Sequence, residues 1–178
     1  GQTPGVAGRP GFVSVPVRRI VSGDSSNSEQ WTLSNHIGTH VDFPRHFSDI
    51  GETVDRCSAA ESVFSRVEIL DVPAEPGQLL ALNDFAGRVD VATELLLVRT
   101  GFEQHRSAEI YWENNPGCLP EVAEEWRKTR PRLRAVGFDF LSLTAFRNRE
   151  IGREAHRAFL APDRPGRPIL IIEDMALS

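Results

Sequence analysis

Residues 133–173, LRAVGFDFLSLTAFRNREIGREAHRAFLAPDRPGRPILIIE, carry the pattern that decides the fold. Leu133 to Phe140 is a strand candidate, apolar apart from Arg134 and Asp139. Arg149 to Leu160 has the length and composition of a helix, with His156 on the same face as Gly152 and Leu160. Pro168 to Glu173 returns to a short apolar strand that closes on a carboxylate. Working outward, further strands are expected at Val13 to Ile20, Trp31 to Val41, Val63 to Val72 and Glu94 to Thr100, with Pro16 marking the first as an edge or a bulge. Gly23 to Gln30 reads as a polar turn or exposed loop. Helices are expected at Ser107 to Asn114 and at Leu119 to Thr129, where Pro120 suits a first turn. Strands fill the first half and helices interleave in the second, which predicts an α/β or α+β domain built on a mixed sheet.

The chain has 178 residues and a mass of 19.8 kDa, a size expected to form one domain over residues 1–178 with a sizeable core. Gly1 to Phe12, with four glycines and two prolines, is expected to be an irregular N-terminal arm without the apolar segment of a secretory leader. A hydrophobic fraction of 40% and a charged fraction of 25% argue against intrinsic disorder, and no apolar run approaches the roughly 18 residues of a membrane span. A net charge of -5 argues against a nucleic-acid partner held by a basic surface. Cys57 and Cys118 are too few for a disulfide framework, so a reducing, cytoplasmic compartment is expected.

Chemistry concentrates between residues 36 and 47. Of five histidines in the chain, three (His36, His40 and His46) fall in this segment together with Asp42. Gly38, the β-branched residues and Pro44 disfavour a helix there. Read as extended chain, His36, Gly38, His40, Asp42, Pro44 and His46 share one face, while Ile37, Val41, Phe43 and Phe47 share the other, expected to be core. Gly38 leaves space through which an ion or substrate could approach. Zinc accepts neutral imidazole nitrogen and carboxylate oxygen, and three protein ligands plus a water make a catalytic site, so His36, His40 and Asp42 are candidate ligands. His46, set further along, is a candidate to move protons. A single histidine is more often a hydrogen-bonded structural residue than a ligand; four such groups on one face favour the metal.

The string from His36 to His46 resembles the His-x-Gly-Thr-His-x-Asp-x-Pro-x-His signature of the cyclase family of metal-dependent hydrolases, which includes bacterial kynurenine formamidase and isatin hydrolase. Each specified position matches. The likeness continues in Leu95 to Phe102, in Gly137-Phe138-Asp139 followed by Ser142, in His156 with Leu160, and in Ile171-Ile172-Glu173, so it covers most of the chain from His36 onward. The resemblance implies a swivelling β/β/α fold and a divalent metal, Zn2+ or Mn2+, as one or two ions. It implies that His36, His40 and Asp42 hold the first ion, that Asp42 bridges to a second one completed by His156 and Glu173, and that His46 is the proton donor and acceptor. Glu173 carries some independent weight, since a carboxylate at the end of the run Ile169 to Ile172 is costly unless paired or metal-bound. A core role for His156 stays open on the residues alone.

The implied activity is hydrolysis of a small-molecule amide, with an aromatic formamide such as N-formylkynurenine as the first substrate and tryptophan catabolism as the setting. The alternatives are a cyclic amide or lactone, as in isatin hydrolase, or a metal-binding protein without turnover. A homo-oligomer, dimer or tetramer, is implied as well. Phe43, where formamidases carry a small residue, and the long loop Ala161 to Pro168 are departures that bear on the substrate. Among the remaining residues, Asp139 is expected either to orient a ligating imidazole or to stabilise a turn, and His105 to be a solvated loop residue. Trp31, Trp112 and Trp126 could line an aromatic pocket or serve the core.

Overall fold

The computed structural model describes residues 11–178. The irregular arm expected over residues 1–12 therefore lies, through residue 10, outside the described residues. The chain divides into two compact units, residues 1–40 and 41–178.

In the first unit, β1 (Val13–Arg18) and β2 (Ser28–Thr32) form an antiparallel ribbon in which Val13 pairs with Thr32 and Val15 with Gln30. The register shifts between Pro16 and Arg18, as expected of a proline that has no N–H to give the ladder. β2 begins at Ser28, inside the stretch expected to be a turn. The turn closes early because Asp24 accepts the Arg19 N–H at 2.7 Å and Asn27 accepts the Ile20 N–H at 3.0 Å, which releases Ser28 to Gln30 for pairing. The strand expected to continue to Val41 stops at Thr32, and bends follow to Thr39, with Gly38 at φ +65°.

The second unit takes in the end of β3 (His40–Asp42), then β4 (Val67–Asp71), β5 (Leu79–Leu80), α1 (Leu82–Phe85), β6 (Leu95–Arg99), α2 (Ile110–Glu113), β7 (Gly117–Cys118), α3 (Pro120–Thr129), β8 (Ala135–Phe138), α4 (Arg149–Leu160) and β9 (Leu170–Glu173). The main sheet has the order β3-β9-β8-β6-β4, and β4, β6, β8 and β9 run parallel. β5 and β7 form a separate parallel pair. With the antiparallel ribbon, this is the mixed α/β architecture that the strand and helix pattern implies.

Leu96, Val98, Val136, Phe138 and Ile171 share one face of the sheet by alternation and register, and all five are fully buried. α3 starts at Pro120, whose missing N–H costs nothing in a first turn, and packs Val122, Ala123 and Trp126 inward. α4 runs over the expected Arg149 to Leu160 and buries Gly152, Ala155, His156, Ala158, Phe159 and Leu160. Its last carbonyls, orphaned at a helix end, are taken up by the buried Arg127, which donates to the oxygens of Ala158, Phe159 and Ala161. This anchors the carboxyl end of the helix that presents His156.

β8 ends at Phe138 rather than at the expected Phe140. Asp139 leaves the ladder because its buried carboxylate accepts the N–H groups of Thr100 and Gly101, at 2.9 and 2.7 Å. Asp139 is thus the turn-stabilising residue, clamping the end of β6 to the end of β8. The chain then runs through Leu143 and Thr144 and enters α4 at the carboxyl ends of the parallel strands, where open α/β sheets place their sites.

Candidate metal centre

Four of the expected site residues meet in the second unit. Asp42 ends β3, His46 closes the short 3-10 turn Pro44–His46, His156 lies in the third turn of α4, and Glu173 is the last residue of β9. Asp42, His156 and Glu173 are each at most 3% exposed. His156 Nε2 is 3.1 Å from Glu173 Oε1 and 3.6 Å from Asp42 Oδ2, and the two carboxylates bring an oxygen each to within 4.8 Å of one another. His46, exposed to solvent, places Nε2 3.9 Å from Asp42 Oδ2. The arrangement is a buried carboxylate pair facing one imidazole, with a second imidazole on the solvent side.

The orientation of His156 has a local cause. Its Nδ1–H donates to the carbonyl of Gly152, one turn earlier in α4, at 2.8 Å, and Thr144 Oγ1 lies 3.3 Å from the same nitrogen. That leaves Nε2 aimed at the carboxylates, the arrangement by which a backbone carbonyl fixes the tautomer of a ligating histidine. Gly152 makes this possible through its size. A Cβ there would stand 2.4 Å from Thr144 Cα and 3.0 Å from the Leu143 carbonyl oxygen. With no side chain in the way, α4 lies directly on residues 143–144, and the Leu143 N–H reaches Glu173 Oε1 at 2.7 Å. Phe47 stacks on the imidazole of His156 at 4.5 Å between ring centres, with a tilt of 22°. The sequence points to Phe47 only as a core residue and to Gly152 only as sharing a helix face with His156, and neither reading reaches these contacts. Gly152 lay on the noted helix face and Phe47 inside the histidine-rich string, but their contacts are tertiary.

Burial by itself lowers the pKa of His156, yet the neighbouring Asp42 and Glu173 carboxylates outweigh it and raise the imidazole from 6.5 to about 10. Two anions buried together require positive charge close by. A proton on His156 supplies it here; a divalent cation is the other group that can, and two carboxylates with an imidazole are a donor set that zinc and manganese accept. The residues therefore fit the metal.

His36 and His40 come together in the first unit. His36 Nδ1 lies 3.0 Å from His40 Nε2, with the rings edge to face at 88°, and His40 Nδ1 lies 2.8 Å from the Gly38 carbonyl oxygen. The expected single extended face from His36 to His46 is corrected by this geometry. Only His40 to Asp42 is strand, and His36 reaches His40 because Gly38 bends the chain at φ +65°. Nothing stands within 4 Å of a Cβ at Gly38, so the space expected beside it is open. Val41, expected in the core, is 45% exposed, because the bends at residues 35–39 and the turn at Pro44 interrupt the alternation on which that expectation rests. His105, expected to be solvated, is half-buried with its ring 5.0 Å edge-on to Phe102. Trp126 is core at 3% exposure, while Trp31 is 62% exposed.

The described residues thus form a mixed α/β fold whose carboxylates Asp42 and Glu173 and imidazole of His156 gather, buried, around the end of β9. The profile of the family described as "Putative cyclase" matches residues 5–145, and the chain belongs to that family. The match ends before His156 and Glu173, whose place at the site rests on the geometry above. Among curated proteins the chain is 24% identical to the kynurenine formamidase of Bordetella avium over 173 residues, 89% of this chain and 77% of that protein. Among solved structures, isatin hydrolase A from Labrenzia aggregata, bound to benzyl benzoate, superposes with a TM-score of 0.74 at 22% identity, covering 93% of this chain and 70% of that one. A protein described as a "predicted metal-dependent hydrolase" from Bacillus stearothermophilus gives a TM-score of 0.67 at 15% identity, covering 97% and 76%. At these identities the structural likenesses speak to the fold.

Proposed function

We propose that the chain works as one hydrolase domain that cleaves a small aromatic amide, with an aryl formamide such as N-formylkynurenine as the substrate to test first. The observation that carries this reading is the buried pair Asp42 and Glu173 facing His156, with solvent-exposed His46 beside Asp42. The proposed ligands are His36, His40 and Asp42 for one ion, with Asp42 shared and His156 and Glu173 completing a second; Zn2+ and Mn2+ are the candidates. When bound, such an ion lowers the pKa of a coordinated water toward about 7 and polarises the substrate carbonyl. His46 accepts a proton at Nε2 and returns it to the departing nitrogen, a role suited to an imidazole that reaches both solvent and the buried carboxylate. The Asp42 carboxylate lies 3.9 Å from that nitrogen, beyond hydrogen-bond reach but near enough to attract the imidazole when it carries the proton. Gly152 and Leu143 hold His156 and Glu173 through the hydrogen bonds described above.

The likeness to isatin hydrolase A, at a TM-score of 0.74, supports a second reading in which a cyclic amide or lactone is opened by the same groups. Half-buried Phe43, at the start of the His46 turn, is the residue we expect to bear on that choice. A homo-oligomer is part of the proposal, supported by Val15, Val17 and Trp31, which leave 55%, 60% and 62% of their surface exposed on the first unit's ribbon. A cytoplasmic setting is supported by Cys57 and Cys118, which are free thiols.

The test is turnover by purified protein loaded with zinc or manganese, offered N-formylkynurenine, cyclic amides and lactones. Release of formate and an aromatic amine supports the first reading, and ring opening alone supports the second. Stoichiometric metal with every substrate untouched would leave a metal-binding protein without turnover.

A further inference from the structure

The residue after Glu173 is built in a way that strand termination does not require. Asp174 is the one non-glycine with positive φ among the described residues, at +58°. A side chain in the left-handed region clashes with its own backbone, and the conformation persists where the surroundings impose it. Asp174 is 4% exposed. Its N–H donates to the Phe140 carbonyl at 3.0 Å, and the next N–H, of Met175, donates to Phe138 at 3.1 Å, so the chain turns back over the end of β8. Asp174 Oδ1 accepts the Tyr111 hydroxyl and, at 2.6 Å, Arg106 Nη2; the same Nη2 donates to the Asp174 carbonyl oxygen at 2.7 Å. Tyr111 is fully buried and stacked on Phe102 at 5.9 Å, with the Arg106 guanidinium 5.7 Å from its ring centre. Burial, with Asp174 adding to it, pushes the Tyr111 hydroxyl upward, so at ordinary pH it is a donor.

We propose that Tyr111, Arg106 and Asp174 form a latch that sets the position of the Glu173 carboxylate, with Asp174 acting as a positioning residue. On the strand side, Glu173 is fixed by the β9 ladder, where Ile172 pairs with Gly137. On the other side nothing regular follows, and the latch replaces the missing strand by holding the next residue through three side-chain-mediated hydrogen bonds. With both flanks fixed, Glu173 Oε1 is delivered to the Leu143 N–H and to His156 Nε2. The inference rests on the reading of Glu173 as a metal ligand. Side chains that hold a ligating carboxylate or imidazole in place typically change metal affinity about 10- to 100-fold when removed.

The test uses Co2+ alone as the probe, with affinity and visible absorption measured by titration of the metal-free protein, and the metal-free thermal midpoint recorded beside them. Tyr111→Phe removes one hydroxyl and keeps the ring. Asp174→Gly keeps the backbone conformation and removes the carboxylate. Glu173→Gln is the reference for loss of the ligand. The latch predicts Co2+ affinity weaker by about tenfold in Tyr111→Phe and in Asp174→Gly, with an altered visible spectrum. A lowered thermal midpoint in both, with parental affinity and spectrum, overturns the latch while Glu173→Gln still loses the metal. Parental Co2+ binding in Glu173→Gln overturns the ligand reading and the latch with it.

Discussion

At the residue scale, the histidine-rich string shows its chemistry in the sequence, while the atoms that orient its ligands do not. Imidazoles and a carboxylate at two-residue spacing are visible as letters. The demand that Gly152 carry no side chain is a property of how closely α4 approaches Thr144, and nothing in the local sequence encodes that approach. Three predictions belong here. His46→Ala is expected to keep the metal and to lower kcat by about 10²- to 10⁴-fold, the usual contribution of a general acid–base. Asp42→Ala is expected to lose the metal. Elemental analysis alongside kinetics separates the two. The third prediction concerns metal-free protein. Asp42 and Glu173 raise His156 from 6.5 to about 10 against the opposing effect of burial. An imidazole that holds its proton more tightly in the folded state adds stability below its unfolded pKa and loses it as pH rises through the folded one. The metal-free thermal midpoint is therefore expected to fall between pH 6.5 and about 10 more steeply in the parent than in His156→Gln. Parallel curves would show that His156 is not the group responsible.

At the element scale, α3 and α4 were legible because a first-turn proline and a sustained helical composition announce them. The histidine-rich segment was not legible as a shape. Alternation suggested one extended face, whereas a glycine at positive φ and a proline-led turn leave only His40 to Asp42 as strand. β8 was overextended because Asp139 sits among apolar letters, and its bonds to Thr100 and Gly101 cross from another strand. Removing that carboxylate strands buried N–H groups without a partner, and Asp139→Ala is expected to lower unfolding stability by about 3 kcal/mol. Urea denaturation measures it. A loss below about 0.5 kcal/mol would mean that the clamp between β6 and β8 is dispensable.

At the scale of the whole molecule, the fold class followed from the alternation of strands and helices, but the strand order β3-β9-β8-β6-β4 did not. Order is set by which apolar faces find one another, and it is this order that brings the last residue of β9 beside α4. Bringing two buried carboxylates together works against folding unless a cation accompanies them. Metal is accordingly expected to raise unfolding stability by about 2.7 kcal/mol when present at a hundred times its dissociation constant, and a chelator is expected to remove that gain. Thermal unfolding with and without added metal checks it. The central claim is that these residues form one metal centre, and its most direct test is anomalous scattering from crystals loaded with zinc or manganese. The account predicts an ion about 2.0–2.2 Å from oxygens or nitrogens of Asp42, His156 and Glu173. Loaded crystals in which the ion binds elsewhere, or in which Asp42 and Glu173 touch no ion, would contradict it.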